Sequence, residues 1–114
     1  MDIPVILSPQ AKEVYDYLMI TALMSKQEKM LLAAILTKVE YLKQYTHYGN
    51  PLAKKLIPKE YILKYDISNL FRVELPLFWR LLYSLQHYNN SQVIFIVDIL
   101  NHKSYNKKFG YRNH

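Results

Sequence analysis

Hydrophobic and polar positions alternate along residues 69–75, where Phe71, Val73 and Leu75 point one way and Leu70, Arg72 and Glu74 the other. Residues 78–85 alternate too, with Trp79, Leu81, Tyr83 and Leu85 opposite Phe78, Arg80, Leu82 and Ser84. A period of two in aromatic and branched residues predicts strands of a sheet with one packed face. Residues 93–100, VIFIVDIL, are apolar at nearly every position, which suits a central strand covered on both faces. The polar stretch 87–91 between the second and third strands reads as a hairpin connection.

The N-terminal half carries a different period. Residues 3–7 form a short apolar run suited to an edge strand, and Ser8 followed by Pro9 is a helix start, a capping hydroxyl and then proline in the first turn. Ala11, Val14, Tyr15, Leu18 and Met19 then recur at helical spacing to a stop near Met24. Ser25 to Glu28 has the form of a capping box opening a second helix, whose stripe is Leu31, Leu32, Ile35, Leu36, Val39 and Leu42. Gly49 suits the C-cap of that helix and Pro51 blocks its continuation. Residues 51–66 have mixed spacing and two prolines, and read as an irregular basic segment with at most one helical turn. The expectation is one α+β domain over residues 1–114: an N-terminal strand, a helical hairpin, then a three-strand antiparallel meander with the helices packed on one face.

Composition narrows the function. At 114 residues, 51% of them hydrophobic, the chain builds one modest core and is not disordered. No run approaches the roughly 20 apolar residues that span a bilayer, and the first residues lack a signal-like pattern, so a cytoplasmic protein without a membrane partner is expected. The absence of cysteine excludes disulfides and thiolate chemistry. His47, His87, His102 and His114 lack ligand spacing, so neither a metal nor another cofactor is expected. No glycine-rich phosphate loop or nucleophile elbow is present.

Charge changes the picture more. The net charge is +6, and no acid follows Asp98 while Lys103, Lys107, Lys108 and Arg112 do. Lys54, Lys55, Lys59 and Lys64 form a second basic group with only Glu60 among them. Such a surface attracts a polyanion, with nucleic acid the usual one, or an acidic protein. If Phe71, Val73, Trp79 and Leu81 share the core face, Arg72 lies across from or diagonal to Arg80, with Glu74 beside them. Like charges so placed cost stability unless an anion sits there; the alternative is a solvated strand face. Arginines of this kind can hold a phosphodiester, His102 or Tyr105 can exchange protons, and tyrosines can stack on unpaired bases. The plainer reading of residues 101–112 is a solvated terminus with Phe109 and Tyr111 tucked onto the core.

Taken together, these residues resemble the RelE/ParE superfamily of toxins from type II toxin–antitoxin systems. Ser8-Pro9-Gln10-Ala11 opens the first helix as that family often does, and Lys54-Lys55-Leu56 resembles its basic element before the sheet. Trp79-Arg80-Leu81-Leu82-Tyr83 resembles a family strand, and Asp98 through Tyr105, with His102-Lys103 inside it, resembles the closing element. The resemblance implies a ribosome-dependent endoribonuclease acting on messenger RNA and neutralised by a cognate antitoxin protein. On this chain it implies Lys54, Lys55, Lys107 and Lys108 as the RNA-binding cations. Arg72 and Arg80 would stabilise the scissile phosphate, and His102, Lys103 or Tyr105 would handle protons. Some relatives take a glutamate base from the loop before the sheet; residues 49–56 contain no acid, which leaves Glu74 for that part. A ParE-like toxin acting on DNA gyrase and a non-catalytic basic nucleic-acid-binding protein are the alternatives.

Overall fold

The structure is a computed structural model and describes residues 3–110; Tyr111, Arg112 and His114 lie outside the described residues. Strand β1 (Val5–Leu7) leads into helices α1 (Pro9–Thr21) and α2 (Lys26–Gln44). A two-residue strand β2 (Asn50–Pro51), a 3-10 turn (Lys54–Leu56) and helix α3 (Lys59–Tyr65) follow. Then come β3 (Phe71–Glu74), a tight turn (Pro76–Phe78), β4 (Arg80–Tyr88), β5 (Ser91–Leu100) and helix α4 (His102–Phe109). The sheet order is β1-β5-β4-β3-β2, with β1 parallel to β5 and the other pairs antiparallel. The α+β plan with a helical hairpin and a meander is therefore as the pattern predicts.

The helical hairpin covers one face because its stripes and the alternating strands meet there. Ala11, Leu18, Leu31, Ile35 and Leu42 pack on Phe71, Val73, Leu81, Tyr83, Leu85, Ile94, Ile96 and Ile99. The stripes are narrower than the spacing suggests, since Met19 and Leu36 are exposed. The opposite face is not left open. Ile57 and Tyr61 from the α3 segment and Tyr105 from α4 cover Leu70, Leu82 and Val97. A bulge in β5 changes which of its residues face each core. Leu82 pairs with Asp98 and Tyr83 with Ile96, so Val97 is the extra residue. Beyond it Ile99 returns to the hairpin face, while Val97 packs in the second core.

Several local expectations change. The Ser8 cap holds, with its hydroxyl accepting from the Ala11 N–H. At Ser25 no capping bond forms, because its hydroxyl donates to the Glu28 carboxylate instead. The segment after Pro51 is more regular than its prolines suggest, with a 3-10 turn and a helix closed by Asp66 in the left-handed region. The hairpin connection shrinks to Asn89 and Asn90, both at positive φ (50° and 65°), as a primed two-residue turn requires. The residues after β5 form a helix rather than a solvated tail. Asn101 caps its start and Gly110, at φ 73°, its end.

Gly49 is not a helix cap. The second helix ends at Gln44, and Gly49 stands where a Cβ would lie 2.8 Å from the Tyr83 ring and 3.0 Å from the Arg72 carbonyl. Its N–H donates to the buried Tyr83 hydroxyl at 2.9 Å, and that hydroxyl donates to the Thr46 carbonyl at 2.8 Å. Burial pushes the Tyr83 phenol up, opposed by the Gly49 bond. This close approach lets β2 add to the edge of β3, pairing Asn50 with Arg72.

Candidate functional site

The β3/β4 register decides which cations meet. Val73 pairs with Leu81, Arg72 with Leu82 and Glu74 with Arg80, so the arginines are diagonal neighbours on one face. That face is the one covered by α4. Leu82, across from Arg72, belongs to the same core as Tyr105. Arg72 Nη1 donates to the Tyr105 hydroxyl at 3.0 Å. The Arg72 and Arg80 guanidiniums stand 5.9 and 4.9 Å from the Tyr105 ring centre. Phe109 stacks on Tyr105 at 4.5 Å. Tyr105 is 2% exposed, which makes it the wall of the site rather than part of its open surface.

Glu74 spans the arginines. One carboxylate oxygen lies 3.0 Å from Arg72 Nε and the other 3.3 Å from Arg80 Nε. Both contacts are ion pairs by distance without the alignment of a hydrogen bond. Glu74 is 53% exposed, and exposed pairs contribute about 0–1 kcal/mol each. Two guanidiniums held side by side by the sheet and Tyr105, and countered only by an exposed carboxylate, have the geometry to make bidentate contacts to an oxyanion. Glu74 offsets the repulsion of the cross-strand like charges.

The other cations are arranged less tightly. His102, at the start of α4, is exposed, with its ring 5.9 Å from that of Phe78 and Nε2 3.1 Å from the Asn106 amide. Lys103 is solvent-exposed beside it. Lys54 and Lys55 are exposed on the 3-10 turn that follows β2. Lys107 is exposed, whereas Lys108 is tied to Glu60 and lies over the Tyr61 ring at 5.6 Å. The structure thus brings Arg72, Arg80 and Tyr105 together, sets His102 beside Phe78, whose carbonyl meets Arg80, and leaves Lys54, Lys55, Lys103 and Lys107 exposed. A cleft of about 330 Å³ adjoins Arg72 and Glu74 and adds Lys38 and Tyr48 to the same ground. A larger cavity of about 720 Å³, by His47, Asp66 and His87, contains neither arginine.

Two features escaped the sequence reading. Asp98 is 4% exposed, and its Oδ2 accepts from the Tyr61 hydroxyl at 2.6 Å and from Gln10 Nε2 at 3.1 Å. Burial raises its pKa, opposed by the bonds from Tyr61 and the Ile99 N–H. Burial, followed by the nearby Asp98 charge, pushes the Tyr61 phenol up. Glu60 moves the other way, lowered chiefly by its bond from Lys108. This network joins α1, α3, α4 and β5 and holds the face on which the arginines sit. Its one sequence signal is a lone acid in an apolar strand. The second feature is the turn before β4, where Leu77 and Phe78 both have φ 61°. Among the described residues, no three histidine or acidic side chains converge as a metal site, and no helix is long and apolar enough to cross a membrane.

No family model and no curated protein matches the sequence. Among solved structures, a YoeB/ParE toxin from Agrobacterium tumefaciens superposes with a TM-score of 0.60 at 12% identity, over 88% of this chain and 99% of that one. The strand, helical hairpin and meander are accordingly those of the RelE/ParE toxin fold.

Proposed function

We propose that this chain is the toxin of a toxin–antitoxin pair and cleaves messenger RNA on the ribosome, in the cytoplasm. The observation that carries the reading is the pair of guanidiniums fixed side by side against Tyr105 and bridged by one exposed carboxylate. In cleavage, Arg72 and Arg80 bind the nonbridging oxygens of the scissile phosphate and stabilise the charge that grows as the 2′-oxygen attacks. Glu74, released from the arginines, and His102 are the exposed groups placed to take and return protons. Tyr105 positions Arg72. Lys54, Lys55, Lys103 and Lys107 steer the RNA backbone toward the site. So few proton carriers leave most of the rate to the geometry of the substrate, which a messenger held in a decoding site supplies. The basic face is where an acidic antitoxin segment competes with RNA.

The test is expression of the chain without antitoxin, with growth followed and new 5′ ends on messenger mapped, beside Arg80→Ala. New ends inside translated codons that vanish in a folded Arg80→Ala protein support the nuclease; full activity in that variant refutes it. A second reading, a toxin that binds a topoisomerase without cleaving RNA, is favoured by the burial of Tyr105 and the engagement of Glu74 by both arginines. Growth arrest with intact message and lost gyrase supercoiling would decide for it.

A further inference from the structure

We propose that Phe78 is a stacking platform for an unpaired nucleobase next to the phosphate bound by Arg72 and Arg80; this inference rests on the RNA-cleaving reading. The alternating pattern places Phe78 in a strand, but the chain spends conformational energy to take it out. Leu77 and Phe78 are consecutive non-glycine residues at φ 61°, a region that L side chains avoid because Cβ crowds the following carbonyl oxygen. Such strain persists only where surrounding structure imposes it. Here the restraints are visible. Pro76 starts the turn, the Leu75 N–H donates to the Trp79 carbonyl at 2.9 Å, and Leu77 and Trp79 line a small cavity with Leu18 and Leu31 of the helical hairpin.

Pinned on that side, the turn presents Phe78 on the other. Phe78 is 72% exposed, so its ring adds little to the core. Its backbone carbonyl accepts from Arg80 Nη1, which ties the turn that carries the ring to the Arg80 guanidinium. The His102 ring lies 5.9 Å away at 57° and borders the same spot. An exposed aromatic ring and a histidine beside two arginines match what a nucleotide offers, an apolar base face next to an anion. Every base has such a face, so the contact places the substrate without choosing its sequence.

The test uses the full-length protein and a short single-stranded 2′-O-methyl RNA, which cannot be cleaved, with 2-aminopurine at each position in turn. Wild type should quench the probe at one position, Phe78→Tyr should keep the quench, and Phe78→Leu should lose it. Phe78→Leu should weaken binding of the probe, and lower kcat/KM for ribosome-bound message, by roughly 5- to 150-fold, the range for one base–aromatic stack. The dependence of binding on salt should stay unchanged because no charge is removed. Phe78→Asn, which accepts the left-handed backbone, should raise Tm while losing the quench, separating the role from folding. Equal quenching and turnover in wild type and Phe78→Leu overturns the inference and leaves the nuclease reading standing. A wild type that neither binds the probe RNA nor cleaves ribosome-bound message overturns both. Unchanged RNA parameters with lost growth arrest would assign Phe78 to a protein partner and overturn it too.

Discussion

Tyr105→Phe separates two roles for the buried phenol. The substitution removes one oxygen and keeps the ring, so the stack on Phe109 and the faces presented to Arg72 and Arg80 remain. What is lost is the acceptor for Arg72 Nη1 at 3.0 Å. A hydrogen bond to a charged group contributes about 1.5–3 kcal/mol, and Arg72 is partly exposed, so water recovers some of it. A net loss of about 1–2 kcal/mol remains, which corresponds to roughly 5- to 30-fold if all of it bears on the position of Arg72 in the transition state. A proton-transfer role would be lost at roughly 100- to 10,000-fold instead. Single-turnover cleavage of ribosome-bound message, with urea unfolding alongside, reads both quantities. Adding Tyr105→Phe to Arg72→Ala should change nothing further, because one acts through the other. A loss beyond about 100-fold at unchanged stability, or a further loss on top of Arg72→Ala, would refute the positioning role and make Tyr105 a proton carrier.

Two further outcomes concern the fold that holds the site. Gly49→Ala should destabilise by about 2–4 kcal/mol, from overpacking against Tyr83 and the Arg72 carbonyl and from the strained bond to the Tyr83 hydroxyl; a urea midpoint within error of wild type would contradict this. Asp98 has a folded pKa above its unfolded value, so its contribution is complete below about pH 4 and is lost as pH rises through the raised value. Unfolding free energy measured upward from pH 5, clear of the lowered Glu60, should decline in wild type and decline less in Asp98→Asn; parallel profiles would show that Asp98 does not carry the slope.

Local chemistry was readable where one segment settles its own state. Ser8-Pro9 starts a helix whatever surrounds it, since a hydroxyl meets a bare N–H and proline needs no donor there. The alternation around Arg72 and Arg80 likewise fixed their common face. Reading failed where a distant neighbour supplies the reason. Gly49 looks like a cap until Tyr83 arrives from β4, and residues 102–109 look like a solvated tail until Leu82 and Val97 offer Tyr105 a core. Phe78 continues an alternating strand on paper, but Leu77 and Trp79, packed beside the hairpin, hold the turn in a conformation no local preference favours.

The sequence by itself determined the order of the first strand, the helical hairpin and the three-strand meander, the basic surface and the placement of Arg72 and Arg80 on one face, because periodicity and charge are properties of the chain. Tertiary structure alone decided that Tyr105 is buried against those arginines, that Glu74 bridges them, that Lys108 is taken up by Glu60, and that Phe78 stands exposed beside Arg80. Each of those facts depends on which side chains come within a few ångströms after β4, β5 and α4 have closed over the sheet, a distance that spacing along the chain does not encode.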